Sequence, residues 1–200
     1  MKGTRPVGSD ARELRDAPKD RAELDMITDL MRNDLGRVCD LGSVRVVDPR
    51  HIEAHGSGVL QASSVIEGTL RADQSLTDIL RATFPPGSVT GAPKVRAMQI
   101  IAELEARPRG PYCGSLLCVR DDGVLEASVA IRTAHIVGVP DPDSPVGILA
   151  GKLDYPVGAG IVADSDPASE WSETLTKAQV LRDAVGAELV ELPEPDAVGA

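Results

Sequence analysis

The sequence predicts an α+β fold in which helices flank antiparallel strands, and three stretches carry that prediction. Residues 18–39 repeat apolar side chains at helical spacing. Two β-rich runs, residues 112–120 and 125–137, are separated by a D-D-G turn signal, which predicts an antiparallel hairpin. Residues 164–177 combine a helix start with carboxylates spaced one turn apart. Helical and hairpin signals on one chain are the pattern of the α+β class.

Composition limits the size of the core and the classes of partner. The 200 residues, 42% of them hydrophobic, suffice for one ordinary core, so residues 1–187 are predicted to form one domain and residues 188–200 a frayed tail. Only 2% of the residues are aromatic and the net charge is −10, which argues against binding of nucleic acid. No apolar run approaches the ~18 to 20 residues of a membrane span, and the first residues lack the apolar core of a signal peptide. We therefore expect a cytoplasmic protein that binds no membrane.

The first part of the chain is predicted to be a loop followed by a long helix. Residues 1–16 are poor in apolar side chains and rich in Gly, Arg and Asp, which is typical of a loop. The helix is predicted over residues 18–39, about five turns. Its first turn contains two acids, which the helix dipole alone would favour. Its apolar face is expected to carry Ala22, Met26, Leu30, Met31, Leu35 and Val38, while Asp20, Glu23, Asp34 and Arg37 occupy other faces.

Strands and short helices are predicted in the middle of the chain. Residues 43–47 form a β-branched run, residues 59–70 are compatible with a strand, and the polar segment between them has no clear pattern. Residues 76–83 place apolar side chains at helical spacing and are followed by the F-P-P-G run, which ends the helix. A second helix is predicted over residues 95–104.

The S-V-T-G-A-P-K stretch at residues 88–94 has two possible roles. Hydroxyl side chains and a glycine precede Pro93 at the start of the predicted helix, a corner whose backbone N–H groups suit an anionic ligand. The same residues are equally compatible with an ordinary capped helix start. The local sequence leaves both interpretations open.

The last part of the chain is predicted to contain a loop, a strand and a helix after the hairpin. Residues 138–156 contain four prolines with several Asp and Gly, and they are predicted to form a surface excursion. Residues 157–163, V-G-A-G-I-V-A, are predicted to form a short buried strand whose glycines permit close approach to the backbone. That strand leads directly into the final helix, which is predicted to end near residue 185.

The final helix is predicted to present carboxylates on one face. Asp166 is a cap-type residue, and Pro167 suits a first helical turn. At about 3.6 residues per turn, Glu170 and Glu173 are neighbours, and Lys177 lies one further turn along the same side. Taken alone, this pattern is also typical of a solvated helix with a weakly stabilising Glu–Lys pair.

Six stretches, in order along the chain, resemble the C-terminal half of the chorismate-utilising enzymes. This family includes component I of anthranilate synthase, component I of aminodeoxychorismate synthase, and the isochorismate and salicylate synthases. The resemblance implies that the α+β fold is the C-terminal half of a large antiparallel two-sheet sandwich with helices outside. The matching stretches are K-G-T-R-P (2–6), A-E-x-x-M-I-x-D-L-x-R-N-D-L-G-R-V-C (22–39), F-P-x-G-S-V-T-G-A-P-K-V-R-A-M (84–98), R-G-P-Y-C-G (109–114), I-R-T-A (131–134) and G-A-G-I-V-A-D-S-D-P-x-x-E-W-x-E-T-x-x-K-A (158–178).

The resemblance implies a Mg²⁺ site built from acidic side chains. In this family a Mg²⁺ ion bridges the enzyme and the ring carboxylate of chorismate. By position, Glu23 and Glu173 would be its ligands, with Asp20 and Glu170 in supporting positions. Mg²⁺ is a hard ion that prefers oxygen ligands and takes one or two protein carboxylates together with substrate and water. A cation would also relieve the repulsion among four crowded acids.

Further residues correspond to substrate contacts of the family. The resemblance implies that Thr90 and Gly91 form the floor of the pocket. Lys177 would neutralise the acids or meet the substrate. For Arg132, an ordinary exposed strand arginine is the alternative interpretation. The implied substrate-binding residues are Thr4, Thr90, Gly91, Tyr112, Arg132, Gly158, Ala159, Gly160 and Lys177.

Lys2 bears on the branch of the family. Aminodeoxychorismate synthases carry a lysine in the K-G-T motif that is taken to attack chorismate covalently, whereas anthranilate synthases typically carry alanine. The resemblance therefore implies a catalytic Lys2, acting as a free amine. The reaction would replace the chorismate 4-hydroxyl by ammonia from a separate glutamine amidotransferase subunit, giving 4-amino-4-deoxychorismate for p-aminobenzoate and folate synthesis. A flexible lysine without a role is the alternative.

Several positions depart from the family pattern. Val7 and Leu24 replace an arginine and a histidine, Pro86 and Leu117 replace glycines, and Gln61 stands where a histidine near the reacting ring is usual. The upstream half of the family, with half of the sheet core and a glutamate thought to be the general acid, is expected from a longer native chain or a separate polypeptide. Two hypotheses of different class follow: an aminodeoxychorismate synthase-type enzyme completed by that half, and a truncated or degenerate chorismate-binding module without turnover. An anthranilate synthase component I-like enzyme is a third.

Overall fold

The chain forms two compact units, Met1–Pro108 and Arg109–Ala200. Within the residues that the structure describes, every strand pairing is antiparallel and helices accompany the strands, which confirms the predicted α+β class. The predicted frayed tail lies outside the described residues, and the single domain over residues 1–187 stays a prediction. The computed structural model describes residues 2–6, 8, 10–16, 18–55, 59–105, 107–145, 147–163 and 165–186.

Helices and strands are mixed in the first unit, whereas strands precede a long helix in the second. The elements of the first unit are β1 (Lys2–Pro6), α1 (Ala11–Asp16), α2 (Pro18–Gly36), β2 (Arg45–His55), β3 (Val59–Glu67), α3 (Leu76–Thr83), a 3-10 helix (Gly87–Val89) and α4 (Lys94–Leu104). Those of the second unit are β4 (Ser115–Val119), β5 (Leu125–Val129), β6 (His135–Pro140), β7 (Ile148–Asp154) and α5 (Pro167–Val185).

Strand β3 is the centre of a three-stranded sheet with the order β1-β3-β2. Both neighbours run antiparallel to it, with Lys2 opposite Ala62 on one side and His51 opposite Ser63 on the other. The predicted loop over residues 1–16 is therefore wrong, because β1 and α1 occupy much of it. Strand β1 owes its conformation to a partner far along the chain, and such pairing leaves little signal in a five-residue stretch.

Helix α2 and the residues just after it confirm only part of the predicted apolar face: Leu35 and Val38 belong to a core cluster, but Ala22 and Met26 are exposed. Leu24 is 2% exposed and forms a core cluster with Leu14 and Ala62, whereas Met26 is 39% exposed. Asp34, predicted to lie on an outer face, is buried. Apolar residues occur on several sides of this helix, so the elements packed against it decide which side is buried.

Local signals predicted the helix ends well. Helix α3 begins after Ser75, whose hydroxyl accepts from the Asp78 backbone N–H while the Asp78 carboxylate accepts from the Ser75 N–H. Helix α5 begins after Asp166 and ends at Gly186, which has a left-handed φ of 65°. Helices α3, α4 and α5 therefore confirm the predicted helices. Among the residues described, none of the helices has the length and apolar character of a membrane span.

The predicted hairpin is confirmed, with shorter strands than expected. Strands β4 and β5 pair from Ser115 opposite Val129 to Val119 opposite Leu125, and the D-D-G turn lies between them. In the first unit, strand β2 is longer than predicted. It extends through the segment that has no clear sequence pattern and pairs with β3 up to His55. Register shifts interrupt that ladder and blur its alternation of polar and apolar residues.

Two predictions for the second unit are wrong. Residues 138–156 are not an irregular loop, because β6 and β7 pair there, with Gly138 opposite Gly151, although β6 is exposed along its whole length. The prolines cluster at the ends of these strands and in the connection between them. Residues 157–163 form no strand, and a side chain just before α5 binds the backbone there: the Ser165 hydroxyl accepts from the Val162 N–H at 3.0 Å.

Replacing Leu24 by alanine is expected to destabilise the protein far more than replacing Met26. Removing a buried leucine side chain typically costs about 2–5 kcal/mol, and Leu24 is 2% exposed. Met26→Ala, on the same helix, removes a side chain that is 39% exposed and should cost about 1 kcal/mol or less. Urea unfolding followed by circular dichroism measures both losses. Equal losses would contradict the packing face assigned to α2.

The start of α5 is expected to depend on pH through Asp166. Hydrogen bonds from the Ser169 hydroxyl and then the Ser169 N–H hold the pKa of the Asp166 carboxyl below its ordinary value. The stabilisation is therefore present above about pH 4 and is lost as the pH falls through the lowered pKa. NMR secondary shifts of the first turn should show fraying as the pH falls through the lowered pKa of Asp166, and Asp166→Asn should remove this pH dependence. A first turn of equal helicity across this range in the native sequence would contradict the prediction.

Candidate functional site

The start of helix α5 holds a buried carboxylate. Glu170 is 6% exposed, and its Oε1 accepts a 2.6 Å hydrogen bond from the Ser165 hydroxyl. The N-cap Asp166 and the following Pro167 set where the helix begins and hence where Glu170 lies. A buried carboxylate is costly unless hydrogen bonds or cations compensate for the lost water, so its surroundings must supply such partners.

About two turns beyond Glu170 on α5, Lys177 joins an acidic side chain to the loop that precedes the helix. Its Nζ lies 2.7 Å from Glu173 Oε1 and donates a 2.9 Å hydrogen bond to the Gly158 carbonyl oxygen. The Lys177 side chain is 23% exposed and that of Glu173 is 54% exposed, so the pair is open to solvent on one side. Next to this carbonyl, Ala159 is partly buried and Gly160 is exposed.

The phenol of Tyr112 approaches the same loop. A Cβ added at Gly158 would lie 2.8 Å from the Tyr112 hydroxyl oxygen, so a residue with a side chain would push the phenol away. The Arg109 guanidinium lies 5.7 Å from the centre of the Tyr112 ring, within the range of a cation–π interaction. Four predicted site residues of the second unit thus lie together. We call Tyr112, Gly158, Glu173 and Lys177 the α5 cluster.

Arg132 lies just beyond the paired ends of β4 and β5. The Cys113 N–H donates to the Ala130 carbonyl at 3.0 Å, so the chain stays paired up to that point. Arg132 and Cys113 have φ angles of 49° and 63°, a conformation that is costly for residues with a side chain and is concentrated at functional sites. Arg132 is exposed and outside any strand. The residue types give no hint of this backbone strain, so sequence reasoning missed Cys113.

In the first unit, Thr90 and Gly91 lie between the 3-10 helix and α4. The Gly91 N–H donates to the Gly87 carbonyl at 3.0 Å, and the Thr90 hydroxyl donates to the Pro86 carbonyl at 3.2 Å. Gly91 has a φ of 131°, which favours glycine at this position. The two predicted floor residues therefore belong to a tightly turned loop that leads directly into a helix N-terminus.

A buried ion pair next to this loop was missed by the sequence reasoning. Lys94 Nζ, on the first residue of α4, lies 2.6 Å from Asp34 Oδ2 on α2. The Asp34 side chain is 4% exposed and the Lys94 side chain 17% exposed. The sequence carried a signal for such a pair, because each charge lies at the end of its helix where the helix dipole disfavours it.

The predicted catalytic Lys2 and substrate-binding Thr4 lie on the edge strand β1. In the ladder Lys2 is opposite Ala62 and Thr4 is opposite Gln61, which replaces a histidine usual in the family. Gln61 is partly buried, and the side chains of Lys2 and Thr4 lie outside the described residues. The backbone thus brings two of the motif positions onto neighbouring strands.

The other departures from the family pattern have local explanations where the structure describes them. Leu24 fills the core beside α1, so an apolar side chain suits this position. Pro86 precedes the 3-10 helix in extended conformation, which proline adopts readily. Leu117, in place of a glycine on β4, is 46% exposed. Val7 lies outside the described residues.

Oxygen donors on α5 suit a Mg²⁺ ion. Glu170 and Glu173 lie one turn apart, and Mg²⁺ often takes one or two protein carboxylates. Glu23 is partly buried on α2, and the side chain of Asp20 is outside the description. Within the described parts of the chain, no group of three or more His, Cys, Asp or Glu side chains is arranged to hold a metal. The four-acid site stays a prediction, and Glu170 and Glu173 would hold an ion in the second unit.

Comparison with known proteins finds extended similarity to chorismate enzymes. The chain is 45% identical over 192 residues to anthranilate synthase component 1 of Synechocystis sp., covering 92% of this chain and 36% of that protein. It is 43% identical over 189 residues to aminodeoxychorismate synthase of Streptomyces griseus, covering 90% and 24%. The crystal structure of anthranilate synthase component I from Streptococcus pneumoniae TIGR4 superposes with a TM-score of 0.69 at 33% identity, covering 89% of this chain and 39% of that one.

These relatives are much longer than the matched region, since the chain spans little more than a third of the anthranilate synthase component from Synechocystis. The match to a protein family nevertheless covers nearly all of this chain. Residues 1–183 match the family described as chorismate binding enzyme. The chain therefore belongs to the chorismate binding enzyme family.

Proposed function

We propose that this chain is the chorismate-binding part of an anthranilate synthase component I-type enzyme. The observation that carries the proposal is the 45% identity with anthranilate synthase component 1 over 92% of the chain. The relatives thus favour the third hypothesis from the sequence over the aminodeoxychorismate synthase type that Lys2 had suggested. The reaction would convert chorismate and ammonia into anthranilate, pyruvate and water.

The α5 cluster suits a ligand that carries carboxylates. Chorismate is a dianion, and Lys177 offers an ammonium group that already spans Glu173 and the Gly158 carbonyl. The Tyr112 hydroxyl lies beside the same backbone and can hydrogen-bond a carboxylate oxygen. The resemblance implies substrate contacts at Tyr112, Gly158 and Lys177, so we assign the cluster to carboxylate recognition.

A divalent cation would add to this recognition. Glu170 and Glu173 would hold Mg²⁺, whose charge offsets the ring carboxylate of chorismate. The Ser165 hydroxyl donates to Glu170, and Lys177 pairs with the more exposed Glu173, so the Glu170 carboxylate is the more firmly held of the two. Glu23, expected from the sequence as a ligand beside Glu173, and Asp20, expected in a supporting position, stay predictions.

Amination requires ammonia and the remainder of the family domain. We propose that a glutamine amidotransferase subunit supplies the ammonia, consistent with relatives that are described as a component of an anthranilate synthase. The rest of the domain would come from a further segment or a separate polypeptide, because the matched relatives are longer than this chain.

An aminodeoxychorismate synthase activity is the second candidate. Lys2 occupies the position at which that branch carries a lysine, and the chain is 43% identical to aminodeoxychorismate synthase of Streptomyces griseus. Its product, 4-amino-4-deoxychorismate, keeps the enolpyruvyl group that anthranilate has lost. The two activities are therefore distinguished by their products.

Chorismate should bind to the folded chain in a Mg²⁺-dependent manner. We expect calorimetric titration to give heat with Mg²⁺ that disappears with EDTA, because the cation offsets carboxylate repulsion. Glu173→Gln should weaken binding by about tenfold or more. Glu126→Gln, an exposed glutamate on β5, is the matched control and should bind like the native chain.

Heat of equal size with and without Mg²⁺, or in Glu173→Gln, would contradict the metal site. No heat at all from a folded sample would show that the described part of the family domain does not bind chorismate alone. Binding that is never followed by product in the completed enzyme would support the non-catalytic binding module.

A complete enzyme, in which this chain is joined by the rest of the family domain and supplied with ammonia, should form anthranilate. Anthranilate is detected by its fluorescence and 4-amino-4-deoxychorismate by chromatography with mass detection. We expect Lys2→Ala to retain at least half of the anthranilate formed by the native sequence, because a covalent lysine is not part of that route. Accumulation of 4-amino-4-deoxychorismate that Lys2→Ala abolishes would assign the chain to the other branch.

A further inference from the structure

The ion pair between Asp34 and Lys94 is the strongest feature of the first unit that the proposed function leaves unused. Lys94 Nζ and Asp34 Oδ2 are 2.6 Å apart, and the two residues are 60 positions apart in the sequence. Their side chains are 17% and 4% exposed. Charges so well hidden are rare on proteins unless they are paired.

Both charges lie where their own helices disfavour them. Asp34 is in the last turn of α2, which contains no basic residue, and Lys94 is the first residue of α4, whose first turn contains no acidic residue. A helix dipole favours cations at the C-terminus and anions at the N-terminus, which is the reverse of this arrangement. Neither charge is therefore stabilised by the dipole of its own helix, and the opposite charge across the ion pair stabilises each of them.

A buried ion pair adds little net stability compared with apolar side chains of similar size, so its main effect is on geometry. It fixes the distance between two elements in one arrangement. Here the elements are the C-terminal turn of α2 and the N-terminus of α4. Helix α4 has no buried residue among its described positions, so little other packing fixes where it begins.

The loop before α4 is anchored to α2 at its other end as well. A Cβ added at Gly87 would overlap the Leu30 side chain, so the 3-10 helix lies directly against α2 there. Leu30 and Asp34 are one turn apart on α2. Two contacts on one side of α2 therefore bracket residues 88–93, which include Thr90 and Gly91.

We propose that the Asp34–Lys94 ion pair positions the loop of residues 88–93 for ligand binding. Asp34 and Lys94 are positioning residues, since they act through the backbone of Thr90 and Gly91. This role rests on the proposed function, in which Thr90 and Gly91 form the floor of the chorismate pocket. Losing the pair should loosen the loop and weaken chorismate binding while the sheet stays intact.

The test compares neutral variants of similar shape with a control on the same helix. Asp34→Asn and Lys94→Met each remove one charge, and the double variant leaves no buried charge uncompensated. Lys94→Arg restores the charge. The control is Asp29→Asn, which removes an exposed ion pair with Arg32, 2.9 Å apart, from α2.

Amide hydrogen exchange of the full chain is the first readout. The Thr90 and Gly91 N–H groups donate to the Gly87 carbonyl and report on the loop, and the β2–β3 ladder is the internal reference. We expect the single variants and the double variant to raise loop exchange about tenfold relative to the ladder. Lys94→Arg should recover most of the protection, and Asp29→Asn should change neither region.

Unchanged loop exchange in Asp34→Asn and Lys94→Met would overturn the proposal. An equal rise in the loop and in the ladder would also overturn it, because it would show general destabilisation. If a single variant fails to fold, the double variant decides on the same criteria.

Calorimetric titration with chorismate and Mg²⁺ separates this proposal from the proposed function. We expect the variants with a loosened loop to bind chorismate about tenfold more weakly than the native chain, and Asp29→Asn to bind normally. A loosened loop with unchanged affinity would overturn the positioning role. Absence of binding by the native chain would instead count against the proposed function, and loop exchange alone would then decide whether the pair holds the loop.

Discussion

The pairing of strand β3 on both edges is the constraint on which the first unit depends. With β1 on one side and β2 on the other, its backbone groups are satisfied by neighbours from distant parts of the chain. The sheet gives α2 a surface to pack on, through Leu24 and Ala62. It also holds the K-G-T motif in an extended conformation beside Gln61, so motif positions far apart in sequence become neighbours.

The two units use ion pairs in different ways. Asp34 and Lys94 are largely buried. Separating them would leave a buried charge without a partner, which is costly, so the pair stays in one arrangement. Glu173 and Lys177 are partly exposed, so water or a ligand can replace either partner at small cost. The buried pair is suited to holding two helices together, and the partly exposed pair is suited to exchanging a partner for a charged ligand. Burial, which the sequence does not display, separates these roles.

Features encoded by neighbouring residues were predicted correctly. Helix α5 has its acidic N-cap and its following proline within a few residues of each other, and the D-D-G turn lies between the two strands that it joins. The K-G-T strand and the β6–β7 pair were missed because their conformation depends on partners elsewhere, and composition suggested loops instead. The buried face of α2 was misassigned near its start for a related reason, since apolar residues lie on several sides of that helix and the sheet selects among them.

The sequence by itself determined the family, the helix starts and the stacking of Glu170, Glu173 and Lys177, because motifs and helical spacing are properties of neighbouring residues. Only the tertiary structure decided that Tyr112 and Lys177 meet at Gly158, and that Asp34 meets Lys94 across 60 positions. Such contacts depend on how helices, strands and loops pack, and the spacing of the residues along the sequence does not predict them. Whether a charge is buried or exposed follows from the same packing, and with it the role that the charge can have.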